Sequence, residues 1–273
     1  MISWLAPSNT TLAAEIEQLN TTALPSGWQW VDSSPYAKVA FNADHSLFYK
    51  AFLPRNIWET PKAWLRGSRC QRAITQAKTL PQQGFNTPAV IAWGKLSGGR
   101  EFMLTEAVNG IGVGSCIASY FRSPCNRAAL YWKRELLRAM GKLVAQLHTA
   151  GIVHGDLRPN NVLVELGRQP YTFHLIDNER NQSYTHIPYK LVVKNLVQIG
   201  MLAAIDLSRT DRMRFYQSYL QHYSRFDQLA ASRLSLEVYQ TTMHRLSTKN
   251  PDRLGSPNLP RAHVDNGLIY PLS

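Results

Sequence analysis

From Trp28 onward the chain alternates apolar and polar positions with a period of two: Trp28 and Trp30, then Ala37, Val39 and Phe41, then, past a turn at Asn42–His45, the run Leu47–Leu53. Such alternation predicts two or three antiparallel strands with one buried face. Ahead of it, Leu12, Ile16 and Leu19 recur at helical spacing until Pro25 and Gly27, which predicts a short peripheral helix. Beyond it, Pro61–Leu80 reads as a helix with a basic face of Lys62, Arg66, Arg69, Arg72 and Lys78. Gly84–Gly94 reads as a turn into a strand, and Glu101–Thr105 as the next strand. Ser123 followed by Pro124 has the form of a helix cap and first turn. The apolar stripe Leu130, Leu137, Met140, Val144 and Leu147 then carries that helix to Ala150. Further helices are expected over 191–205, 210–221 and 228–246, followed by a tail rich in Pro, Asn and Gly that drapes over the body.

After the long helix the apolar pattern breaks in a way that points to chemistry. Gly151 closes the helix, Ile152 and Val153 form a short buried step, and His154, Gly155 and Asp156 open a polar loop. Pro159 stops helix formation, and Val162–Val164 reads as a strand. After a turn at Leu166–Pro170, Tyr171–Ile176 reads as a second strand that delivers Asp177 at its end. A hairpin of these strands would bring Asn161 near Asp177 and gather Asp156, Asn161 and Asp177 at one site. Two carboxylates and an amide oxygen are hard ligands of the kind magnesium prefers, with waters and phosphates completing its shell. The order also suits phosphoryl transfer, in which one Asp takes the acceptor proton while an Asn and a second Asp hold the metal. Taken singly, each reads as a turn cap, a loop-satisfying amide or a surface strand-end carboxylate. Lys50, the lone charge in its strand, is either an edge lysine in water or a phosphate contact.

At 273 residues and 44% hydrophobic composition, the chain can bury one large core or two smaller ones. Its most apolar stretch, Leu191–Leu207, is broken by Lys194, Asn195, Gln198 and Asp206, so no membrane span is expected. No basic leader precedes a long apolar stretch at the N-terminus, which sets the expectation of a cytoplasmic protein. Cys70, Cys116 and Cys125 have no paired spacing and are expected to be reduced thiols without a role. An excess of 30 Lys and Arg over 18 Asp and Glu, net +12, favours polyanionic partners: nucleic acid, anionic lipid or phosphorylated glycolipid. No nucleic-acid motif accompanies it.

His154–Asn161, H-G-D-L-R-P-N-N, resembles the protein-kinase catalytic loop H-R-D-L-K-P-x-N, and L-I-D-N-E at Leu175–Glu179 stands where kinases carry D-F-G. With Lys50 on its strand, GFNTP after the basic helix, KNLVQIG and TDRMRFYQSYL, these segments are similar to the bacterial lipopolysaccharide kinase family of Kdo and core heptose kinases, over residues 28–225. The resemblance implies an α+β, two-lobed protein-kinase-like fold with a small antiparallel-sheet N-lobe and a mainly helical C-lobe. Its boundaries would be an extension at 1–27, an N-lobe at 28–108, a C-lobe at 109–248 and a tail at 249–273. It implies transfer of the γ-phosphoryl group of ATP, with Mg2+, to a sugar hydroxyl of the lipopolysaccharide inner core or a similar glycolipid. Such an enzyme would work at the inner face of the inner membrane, where an anionic leaflet also attracts positive charge. Asp156 would then orient and deprotonate the hydroxyl, Arg158 supply charge near the transferring group, and Asn161 and Asp177 hold magnesium. Lys50 would contact the α and β phosphates, and Glu106, Ala107 and Val108 would form a hinge whose backbone meets the adenine edge. His154 would brace the loop.

The chain departs from kinases in four places. The basic helix offers Lys50 no glutamate, since no acidic residue lies between Glu59 and Glu101, leaving Gln71 or Gln76 to orient it. The turn that should hold a Gly-rich phosphate loop is Ser33-Ser34-Pro35-Tyr36, while Gly110, Gly112 and Gly114 follow the hinge and read as a flexible connection. Gly155 replaces the arginine of regulated protein kinases, and no A-P-E segment follows Asp177, which argues for a non-protein acceptor. The competing readings are an aminoglycoside-type or RIO-like kinase, or a pseudokinase that binds nucleotide or a membrane partner without catalysis.

Overall fold

The computed structural model describes residues 2–4, 10–21, 23–54, 67–122, 126–167 and 170–249. They form two compact units: one takes the chain up to Val108 together with Asp177–Arg180, the other takes Asn109–Ile176 and the chain from Asn181 on.

The first unit is a six-stranded antiparallel sheet with a helix on each face. Its strands are β1 (Ile2–Trp4), β2 (Trp28–Val31), β3 (Ala37–Asn42), β4 (Leu47–Phe52), β5 (Val90–Lys95) and β6 (Glu101–Glu106), in the order β1-β5-β6-β4-β3-β2. Period-two alternation in β4 sends Tyr49 and Ala51 into one core and leaves Lys50 on the opposite face. The first core is closed by α1 (Thr10–Asn20), whose Leu12, Ile16 and Leu19 cluster with Tyr49, Ala51, Phe102 and Leu104. This helix is therefore not peripheral: it covers a sheet face, and Glu15 Oε2 accepts the Trp28 indole N–H at 2.9 Å.

The other face carries α2 (Arg69–Gln82), which buries Cys70, Ala73 and Ile74 against Phe52. The helix starts later than its composition suggested. Gly67, at φ +74°, turns the chain, and Ser68 caps the first turn by accepting the Gln71 N–H at 3.1 Å. Residues 61–66, with Lys62 and Arg66, lie outside the described residues. Burial pushes the Cys70 thiol up to about 12, Glu101 adding to the effect and Lys50 opposing it, so it stays protonated and donates to the Phe102 carbonyl at 3.2 Å.

The second unit is mainly helical: α3 (Val113–Tyr120), α4 (Arg127–Thr149), α5 (Tyr189–Ile199), α6 (Arg209–His222) and α7 (Gln228–Lys249). Two small sheets accompany them, one of β7 (Ile111–Gly112), β9 (Val162–Val164) and β10 (Phe173–Leu175), the other of β8 (Ile152–Val153) and β11 (Gln182–Ser183). Asn126 caps α4, accepting the Ala129 N–H at 2.8 Å; Ser123 and Pro124, expected to start that helix, lie outside the described residues. Gly141 lets α4 and α6 approach closely, since a Cβ there would overlap the Phe215 carbonyl.

The helix expected over 191–205 stops at Ile199, where buried Arg212 takes the carbonyls of Gly200 and Leu202 at 2.7 and 2.6 Å. Lys133 is buried too, bound to Asp211 at 2.9 Å and to the Asp206 carbonyl at 2.7 Å. Among the described residues no helix is long and apolar enough to cross a membrane.

Because Ile16 is fully buried beneath the sheet, Ile16→Ala should cost about 2–5 kcal/mol. Urea unfolding measures it; an unmoved midpoint would return α1 to the periphery.

Candidate functional site

The polar loop after β8 is held from within the second unit. His154 is fully buried; its Nε2 faces the Ile176 carbonyl at 3.1 Å and its Nδ1 accepts the Asp156 N–H at 3.2 Å. An acceptor on one side and a donor on the other select the tautomer with hydrogen on Nε2. The backbone of His154 is clamped by Asn195 of α5, which donates to its carbonyl at 2.7 Å and accepts its N–H at 3.1 Å. Asn195 Oδ1 also faces His148 Nε2 at 3.3 Å, while His148 Nδ1 meets the Tyr219 hydroxyl at 2.8 Å. Gly155 N–H donates to Asn181 at 3.2 Å.

On this support Asp156, Arg158 and Asn161 are brought together. Arg158 Nε donates to Asp156 Oδ1 at 2.9 Å, and Asn161 Nδ2 donates to the Asp156 carbonyl at 2.8 Å. The predicted hairpin forms as β9 and β10, pairing Val162 with Leu175, and Ile176 N–H donates to the Asn161 carbonyl at 3.0 Å. Asp177 is the next residue.

The glycines of NGIGVG serve this loop and are not a loose connection. β7 pairs with β9, and Ser115 N–H donates to Asn160 Oδ1 at 3.0 Å. A Cβ at Gly112 or Gly114 would sit 2.7 or 2.6 Å from that same oxygen, so both positions must lack one.

Lys50 and Asp177 come together in the first unit. The Lys50 ammonium is paired with the Asp177 carboxylate, and Asp177 takes φ +58°, a left-handed conformation costing a non-glycine residue about 1 kcal/mol. Lys50 also lies 3.7 Å from Glu179 Oε2. Glu179 was not singled out by sequence, nor were Gln71 and Gln76 needed in its place. Its Oε1 accepts Arg69 Nη2 at 3.0 Å, and its main-chain carbonyl accepts Arg72 Nε at 3.0 Å. Burial raises the Glu179 carboxyl's pKa, but Lys50 and Arg69 outweigh that and hold it below the usual carboxylate value. Asn178 donates to Thr87 of the GFNTP turn at 3.2 Å.

The turn lacking glycines is tied down as well. Arg69 Nη1 donates to the carbonyls of Tyr36 and Leu53 at 2.9 and 3.2 Å. At the proposed hinge, Glu106 N–H is committed to Ala89 and Ala107 N–H to Ser46, at 2.9 and 2.7 Å, and Val108 ends the unit. The signals for the missed residues were present but ambiguous: a lone acid two positions beyond Asp177, and an asparagine inside an apolar helix.

Burial lowers the His148 pKa from 6.5 to about 4, against the opposing Asn195 hydrogen bond. The unfolded chain therefore binds a proton at pH values where the native state does not, and native stability falls as pH drops from about 6.5 towards 4. That loss is about 3 kcal/mol. Urea midpoints measured from pH 7 to 4.5 should fall, and His148→Gln should flatten the slope.

Two curated proteins are similar to the chain: the EKC/KEOPS complex subunit BUD32 of Gibberella zeae (strain ATCC MYA-4620), 27% identical over 173 residues, and the bud32 subunit of Aspergillus clavatus (strain ATCC 1007), 30% identical over 118 residues. The matches take in 57% and 34% of this chain and 64% and 41% of those proteins. Among solved structures, WaaP in complex with acyl carrier protein matches with a TM-score of 0.60 at 18% identity, over 89% of this chain and 98% of that one. WbdD matches with a TM-score of 0.50 at 20% identity, over 78% of this chain and 45% of that one. Both carry the protein-kinase-like fold, which this chain shares. The model of the lipopolysaccharide kinase (Kdo/WaaP) family matches residues 53–219, more than half of the chain, so this protein belongs to that family.

Proposed function

We propose that the chain transfers the γ-phosphoryl group of ATP to a sugar hydroxyl of the lipopolysaccharide inner core or a similar anionic glycolipid. The observation that carries this reading is the Asp156 loop. Arg158 takes one carboxylate oxygen, and the second is left to accept the hydroxyl proton. Lys50 meets the α and β phosphates. Val108 N–H and the Glu106 carbonyl meet the adenine edge, because the N–H groups of Glu106 and Ala107 already have acceptors.

Asn161 and Asp177 would each lend an oxygen to a hard cation. The Asn161 amide nitrogen is committed to the Asp156 carbonyl, which leaves Oδ1 as its ligand atom, and the Asp177 carboxylate is half exposed. Magnesium bound there would neutralise phosphate charge during transfer. The net charge of +12 favours an anionic acceptor and an anionic leaflet, which supports action at the inner face of the inner membrane.

The similarity to BUD32, a complex subunit, supports a second reading, an enzyme that works within a protein assembly and phosphorylates protein. Transfer of labelled γ-phosphate to inner-core glycolipids, free sugars, aminoglycosides and a generic protein separates the two. Label is expected on the glycolipid and should fall about 10²–10⁴-fold in Asp156→Ala. Label on protein alone supports the second reading, and no label with ATP still bound supports a pseudokinase.

A further inference from the structure

The helix that should give Lys50 a glutamate carries arginines instead, and the carboxylate comes from the segment just after Asp177. We infer that Glu179 is the positioning residue of Lys50, a buried acceptor gripped by Arg69 and Arg72 that fixes the ammonium for the nucleotide phosphates. This rests on the proposed role of Lys50 as a phosphate contact.

Two carboxylates compete for Lys50, and they differ in freedom. The Asp177 side chain is 45% exposed, while that of Glu179 is 6% exposed. Glu179 is held at both ends, its Oε1 by Arg69 and its carbonyl by Arg72. Those arginines are themselves anchored, Arg69 to the carbonyls of Tyr36 and Leu53 and Arg72 to that of Gly67 at 2.6 Å. Glu179 therefore cannot follow a passing cation, whereas Asp177 can turn to one.

The second oxygen of Glu179 completes the argument. Oε2 is buried and accepts no hydrogen bond among the described residues, yet it lies 3.7 Å from Lys50 Nζ. A buried acceptor left unmet is costly, and a shift of the ammonium by about 1 Å would satisfy it. When Asp177 turns to a metal, Lys50 keeps Glu179 as its anchor and offers its remaining N–H groups to phosphate oxygens. The usual arrangement is inverted in charge: cations on the helix, the acid on the segment after Asp177.

The test is equilibrium binding of Mg-ATP and of adenosine, which lacks phosphates, to the full chain by calorimetry. The variants are Lys50→Met, Glu179→Gln, Glu179→Asp and the Lys50→Met/Glu179→Gln double. Glu179→Gln should weaken ATP binding about tenfold and leave adenosine unchanged. The double variant should bind ATP no more weakly than Lys50→Met alone. Equal losses for ATP and adenosine, or additive losses in the double, would make Glu179 merely structural and overturn the inference.

If Glu179→Gln does not fold, Glu179→Asp keeps the charge beside Arg69 but shortens its reach, and wild-type ATP affinity in that variant also overturns it. Unchanged ATP affinity in Lys50→Met sinks the proposed role of Lys50, and this inference with it. Loss in Lys50→Met without loss in Glu179→Gln sinks the inference alone.

Discussion

The loop that carries Asp156 depends on one carboxamide. Asn195 uses both amide hydrogens, on the His154 carbonyl and Gln198, and its oxygen faces the His154 N–H and His148. It is a fully satisfied buried amide, and each of its bonds would leave a stranded partner if broken, at about 1–3 kcal/mol apiece. Through His148 and Tyr219 the same amide is joined to α4 and α6, which approach closely at Gly141. The loop is therefore set by the helical core.

Much of this was legible from residue order. Period-two alternation gives the strands and the face of Lys50, and the polar triplet after Val153 gives the loop, because both have local causes. The hairpin was legible too, from two short β-branched runs flanking a turn. What stayed hidden is what touches across long separations. The stripe of α1 says that it is buried without saying under what, and it closes a sheet face. Asn195 read as a polar break in an apolar run, and Glu179 as a loop acid, because their partners lie 41 and 110 residues away. The glycines of NGIGVG read as slack because glycine permits both looseness and close approach, and only the position of Asn160 decides between them.

The charge of the chain divides in a way composition does not reveal. Arg69, Arg72, Lys133 and Arg212 spend their donors on interior carbonyls and carboxylates. The DRMRF stretch is likewise half internal, since Asp211 and Arg212 are buried while Met213 is exposed. The cationic surface left for a partner is smaller than the net charge suggests, and it comes from residues these networks do not use.

The first unit is not a contiguous piece of chain. Residues Asp177–Arg180 belong to it, although the polypeptide on either side belongs to the second unit. During synthesis, the sheet and α2 emerge with Arg69 and Arg72 lacking the glutamate they will grip, and they wait until Glu179 has been made. A fragment cut at Val108 would keep every strand of the sheet yet leave Arg69 without its carboxylate and Arg72 without its carbonyl acceptor. The first unit thus cannot finish folding until the whole hairpin that follows the Asp156 loop has been translated, so assembly order is written into the path of the chain.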